Sequence, residues 1–228
     1  NIKGYKVDSN TEKKILCELN ELATEEVYSK KYPGQHINKP FAFAIGDGNH
    51  SLAAAKENWE KMKARGADSD NIARYALVEL VNIYDEGVSF YPIPNLLFDT
   101  DKAEFVTQFN KTAYKLTGES EYYVNLACGD EKKKINLPGL SIGQVNSFCE
   151  EFCVEYTKTH GGYIDYIHDE ENVKKLCEKQ GSAAIIMPEM KKEDLFKSVI
   201  DSGVFPKKSF SVGHASDKRY YLEARKIK

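Results

Sequence analysis

Two glycines, Gly46 and Gly48, stand between an apolar run from Phe41 to Ile45 and a stretch in which Leu52, Ala55, Trp59 and Met62 recur at helical spacing. This order constrains the fold more than any other feature. It predicts a short buried strand, a tight turn that glycine enters without steric cost, and a helix closed by Arg65-Gly66. The turn itself reads Gly46-Asp47-Gly48-Asn49-His50-Ser51.

The rest of the chain alternates and then groups its elements. Ser9-Asn10-Thr11-Glu12 has the form of a capping box, and Ile15, Leu16, Leu19, Leu22 and Ala23 continue it as a helix to about Tyr28. Strands are expected at Tyr75 to Val81 and Val88 to Tyr91, after which Pro92 and Pro94 end regular structure. Phe105, Val106, Phe109, Tyr114 and Leu116 mark a helix closed by Gly118. A hairpin is expected about Gly129-Asp130, and Ser141 with Gln144 opens a further helix that ends near His160-Gly161-Gly162. Tyr163 to Ile167, Ala183 to Met187 and Arg219 to Ala224 read as strands, separated by helices at about 170–179 and 192–201. The expected fold class is α+β, a mixed sheet flanked by helices. A core of residues 1–100 and 163–228 would carry the glycine turn, and 101–162 would form an inserted helix, hairpin, helix lobe.

Composition excludes several classes of function. Lys and Arg number 32 against 35 Asp and Glu, a formal charge of −3, so no global basic field draws the chain to nucleic acid or an anionic membrane. No apolar run approaches the roughly 20 residues that cross a bilayer, and the first residues lack a signal core, so a cytoplasmic protein is expected. Because the chain begins at Asn1, an N-terminal part of the full-length protein is expected to be missing. Five cysteines without a CxxC pair predict reduced, buried thiols and no structural metal. The sequence says nothing of oligomeric state.

The glycine turn concentrates what chemistry the sequence offers. Main-chain amides about Gly46, Gly48, Asn49 and Ser51, at the start of a helix, suit a phosphate. Asp47 adds a carboxylate able to hold Mg²⁺ or take a proton, and His50 an imidazole able to donate to a phosphoryl oxygen. By spacing alone, ordinary turn and cap chemistry is the commoner explanation of Asp47, Asn49 and Ser51, and neither a dinucleotide fingerprint nor a Walker loop is present. Glu79 interrupts an apolar strand as a candidate acid or base, and Asn82 at its end is a candidate cleft residue. Lys132-Lys133-Lys134 reads as a solvated face.

Three separated motifs resemble one family. Phe43 to Lys56 around the turn, Ala73-Arg74-Tyr75-Ala76-Leu77-Val78-Glu79-Leu80-Val81-Asn82, and Phe205-Pro206-Lys207-Lys208-Ser209 followed by Lys218 to Glu223 resemble domain of unknown function 1015. Many of its members carry Asp-Gly-His-His-Arg in the turn, which is similar to the phosphate-binding turn of the ParB and sulfiredoxin superfamily. That superfamily includes nucleotide hydrolases and a kinase for free serine. The resemblance implies a ParB/sulfiredoxin-like core, a nucleotide or phosphorylated ligand at Asp47, Gly48 and His50, and a second phosphate contact at Lys208 and Ser209.

This chain departs from the pattern twice. Asn49 and Ser51 stand where many members have His and Arg, and Pro92-Ile93-Pro94-Asn95 where many have Pro-x-His-Arg. Arginine is the side chain that forks onto phosphate, so its absence weakens charge stabilisation in a transferring phosphoryl group. The expected function is a nucleotide-dependent phosphotransferase or phosphohydrolase acting on a small metabolite, with Mg²⁺ and a nucleotide as cofactors. The alternative is a non-catalytic domain that binds a small anionic ligand.

Overall fold

The computed structural model describes residues 3–34, 40, 42–119, 122–129, 131–168, 170–179 and 181–214. The chain divides into two compact units, Asn1–Gly46 and Asp47–Lys228. Among the described residues no helix is long and apolar enough to cross a membrane.

The first unit holds two helices, α1 (Ser9–Leu22) and α2 (Glu25–Lys31). The cap of α1 lies one residue before the expected box. Asp8 accepts the amides of Asn10 and Thr11, both at 2.9 Å, and these bonds hold its carboxyl below the usual range. The helix stops before Tyr28 because the Thr24 hydroxyl donates to Glu21 O at 2.8 Å while accepting the Val27 amide. One threonine thus ends α1 and starts α2.

The second unit is α+β. It opens with α3 (Asn49–Ala64) and a 3-10 turn (Ile72–Arg74), followed by β1 (Phe90–Pro92), β2 (Asn95–Phe98) and α4 (Lys102–Ala113). The hairpin β3 (Tyr123–Cys128) and β4 (Glu131–Asn136) leads to α5 (Ile142–His160) and β5 (Tyr163–Tyr166). Then come α6 (Glu170–Cys177), β6 (Ser182–Ile186), α7 (Lys192–Ser202) and β7 (Phe210–Val212). Five strands form an antiparallel sheet in the order β4-β3-β6-β2-β5, and β1 pairs with β7 as a separate antiparallel ribbon.

Alternation along the strands sorts the core onto the two faces of the large sheet. Leu97, Val124, Leu126, Ala183 and Ile185 meet Phe105 and Phe109 of α4 and Val145, Cys149 and Cys153 of α5. Leu96, Ala127, Ala184 and Ile186 face the other way, against Val173 and Cys177 of α6. The Ser141 and Gln144 capping box that opens α5 is present in full. The stretch 101–162, expected as an inserted lobe, supplies two strands of this sheet and two helices on one of its faces. The basic run occupies β4, the sheet edge, where Lys132 pairs with Glu170 at 2.9 Å and Lys134 Nζ lies 3.4 Å from the centroid of the Tyr123 ring. Charged side chains there oppose edge-to-edge association.

Three readings of the strands change. Residues 42–46 and 75–82 carry no ladder in the described structure, and their apolar side chains, apart from half-buried Ala42, are exposed, Leu77 to 60%. Phe41 lies outside the described residues, as does the strand expected at Arg219 to Ala224. Conversely, the proline-flanked segment is not the end of regular structure. Pro92 pairs with Phe210 in β1, the Ile93 amide donates to Ser209 O at 3.2 Å, and β2 begins at Asn95 between β6 and β5. Two prolines remove only their own donors, and a four-residue apolar strand is too short to show a period.

Candidate functional site

Gly48 is the N-cap of α3 and sits at φ +76°, in the left-handed region. Asp47 Oδ1 accepts the Gly48 amide at 2.8 Å, and the ladder of α3 begins with the Leu52 amide donating to Gly48 O at 3.0 Å. Among the described residues no side chain caps this 16-residue helix. The amides of its first turn, at Asn49, His50 and Ser51, therefore face outward at the positive end of the helix dipole. Asp47, Gly48, Asn49, His50 and Ser51 are all exposed. Ser51 lies inside the first turn and does not cap it. Gly46, also exposed, is the last residue of the first unit.

Glu79 and Asn82 lie in the exposed irregular segment. Asn82 Oδ1 accepts the Tyr84 amide at 3.1 Å, and Asn82 O accepts that of Asp85 at 3.0 Å, so this asparagine shapes a turn. The main packing partner of α3 is the 3-10 turn.

Lys208 and Ser209 sit in the turn before β7. Ser209 is buried, and its hydroxyl donates to Pro206 O at 2.8 Å, so it closes the turn that presents Lys208. Lys208 is a non-glycine residue at φ +58°, and its Nζ lies 5.0 Å from the centroid of the Tyr166 ring. The Tyr166 hydroxyl donates to Glu150 Oε1 at 2.5 Å. Burial and then the Glu150 carboxylate push the Tyr166 phenol up, so it stays protonated and donates. Asn95, only 3% exposed, places Nδ2 at 3.5 Å from Glu150 Oε2 and 3.9 Å from Cys153 Sγ.

The predicted site residues thus fall into separate settings: the head of α3, the irregular segment 75–82, and the turn at 206–209. Glu150 and Tyr166 were not legible as site residues. The signal available was indirect, a glutamate beside buried Cys149 on α5 and a tyrosine two residues after Ile164 on β5. Burial pushes the Cys153 thiol up to about 12 and Cys177 up to about 11, and raises Cys149 well above its ordinary value. These three are packing thiols, whereas Cys17, also expected to be buried, is exposed and Cys128 is half-buried. Among the described residues no group of three His, Cys, Asp or Glu could hold a metal ion.

The family described as Protein of unknown function (DUF1015) matches residues 6–224. The chain belongs to that family. None of the curated proteins matches it. Among solved structures it is similar to a conserved hypothetical protein from Pyrococcus furiosus, at 19% identity and a TM-score of 0.46, over 88% of this chain and 84% of that one. It is also similar to SbnI with C-terminal truncation from Staphylococcus aureus, at 13% identity and a TM-score of 0.41, over 72% and 76% of the two chains. Neither likeness bears on what this member of the family does.

Proposed function

We propose that this protein is a nucleotide-dependent phosphotransferase or phosphohydrolase that acts on a small metabolite in the cytoplasm. One observation carries the reading: α3 starts at a left-handed glycine with no side-chain cap among the described residues, which suits its first amides to an anion beside Asp47 and His50. The similarity of the family's turn to the phosphate-binding turn of the ParB and sulfiredoxin superfamily points the same way. Asp47 fits one part of a Mg²⁺ site, since Mg²⁺ is commonly held by one or two carboxylates together with substrate phosphates. His50 would donate to a phosphoryl oxygen, and Asp47 would orient the metal or accept a proton.

The test is a panel of nucleotides with Mg²⁺, followed by product formation and by melting, on wild type and Asp47→Ala. Turnover lost in the variant supports the reading. A nucleotide at one hundred times its dissociation constant should stabilise the native state by about 2.7 kcal/mol. No turnover and no stabilisation with any nucleotide would overturn it.

Asn95 favours a second reading, a binding or regulatory domain without chemistry. Where many members of the family have arginine, this chain has an asparagine whose amide is turned to Glu150 and Cys153. Stabilisation by a nucleotide without any product would select this reading over the first.

A further inference from the structure

We propose that Lys208, Tyr166, Glu150 and Asn95 build a second ligand site, in which Lys208 binds the anionic group of a small molecule and Glu150 sets how tightly. The inference deepens the proposed binding of a small anionic ligand and rests on that reading.

Three observations support it. Lys208 occupies a left-handed backbone that a side-chain-bearing residue rarely adopts, and the Ser209 hydroxyl on Pro206 O and the Ile93 amide on Ser209 O hold it there. Strain of this kind persists where the surrounding structure over-determines it. Second, the Lys208 ammonium lies over the Tyr166 ring and has no ion pair or acceptor among the described residues. Its three donors are left for solvent or a ligand. Third, the Glu150 carboxylate at the far end of that ring is already engaged. Glu150 receives the Tyr166 hydroxyl on one oxygen and faces the buried Asn95 amide with the other.

This engagement gives Glu150 a definite effect. Its negative charge lies near an anion held by Lys208 and weakens it, but the tyrosine and asparagine donors keep the carboxylate from pairing with the lysine itself. Removing the charge should tighten anion binding, and releasing the carboxylate should weaken it. Tyr166 and Asn95 are therefore positioning residues, and Lys208 is the binding residue.

Inorganic phosphate is titrated into the full chain, and the backbone amide resonances of 47–51, 164–168 and 206–210 are followed alongside the melting temperature. Saturable shifts at 164–168 and 206–210 are expected. Lys208→Gly, which relieves the left-handed strain, should melt at or above wild type and lose those shifts. Glu150→Gln should lower the phosphate dissociation constant about threefold, and Tyr166→Phe should raise it about threefold, as for one screened charge several ångströms away. The double variant Tyr166→Phe with Glu150→Gln should bind at least as tightly as wild type, a rescue that loss of packing would not give. Shifts at 47–51 alone would overturn this inference and leave the proposed function standing. Shifts at 206–210 that survive Lys208→Gly, or affinities indifferent to Glu150, would also overturn it. An Asp47→Ala variant that keeps the shifts at 206–210 would separate the two sites.

Discussion

The carboxylate of Asp47 accepts the amide of Gly48 at 2.8 Å, and Gly48 in turn starts α3 from the left-handed region at φ +76°. The acid of the candidate site is thereby fixed to the residue whose backbone turns the chain into the helix. A Cβ at Gly48 meets nothing within 4 Å, so the substitution Gly48→Ala has only a conformational cost. We expect α3 to open more readily by about 1 kcal/mol, read as roughly fivefold faster amide exchange at residues 52–56. Unchanged exchange there would mean that the helix starts elsewhere.

Gly162 behaves differently. It sits at φ +83°, and a Cβ there would stand 2.4 Å from Phe98 O, where β5 begins beside the end of β2. Both the backbone and a carbonyl oxygen oppose a side chain. Gly162→Ala should cost about 3 kcal/mol or more in urea unfolding, well beyond Gly161→Ala, whose Cβ meets nothing within 4 Å. Equal losses at the two positions would refute the close approach.

Phe109 is fully buried where α4 and α5 meet, with Phe148 and Phe152 packed edge-on at 5.8 and 4.9 Å between ring centroids. Phe109→Ala should destabilise the second unit by about 3 to 5 kcal/mol. If the helices of 101–162 belong with the five-stranded sheet, exchange should accelerate together in β3, β6 and α5. Acceleration confined to 101–162 would support a separate lobe.

The buried thiols set an alkaline limit. Cys153 is pushed up to about 12 and Cys177 up to about 11 from a model-compound value of 9.0, chiefly by burial. A thiol whose native value is raised contributes stability that is fully present below the unfolded value and is lost as pH rises toward the native value. Stability should therefore fall above about pH 9, with a slope approaching about 1.4 kcal/mol per pH unit for each thiol. The difference in urea midpoint between wild type and Cys153→Ala should shrink as pH rises through that window. A difference that is flat or grows would contradict the assigned direction. Native-state labelling should modify exposed Cys17 well before Cys149, Cys153 and Cys177.

Local patterns announced much of the second unit. Phe105 and Phe109 at helical spacing announce α4, Ser141 with Gln144 announces the start of α5, and Gly129 with the flanking alternation announces the β3–β4 hairpin, because each signal is contained within a few neighbouring residues. The head of α3 was legible in the same way, from Gly48 and the stripe that follows it. The segment 75–82 misled for the complementary reason: β-favouring side chains describe what a strand would suit, and no partner strand meets them among the described residues.

What the amino-acid order determined alone is therefore local: which stretches of the second unit coil, and where α3 and α5 begin. Tertiary structure decided the rest. It placed proline-flanked Asn95 in the middle of a sheet, set Lys208 over the ring of Tyr166, and gave Glu150 its two donors. Those meetings join α5, β2, β5 and a distant turn, and no periodicity within any one of them encodes a contact with the others. Only the packing of both sheet faces, which selects the strand order and register, brings those side chains within reach.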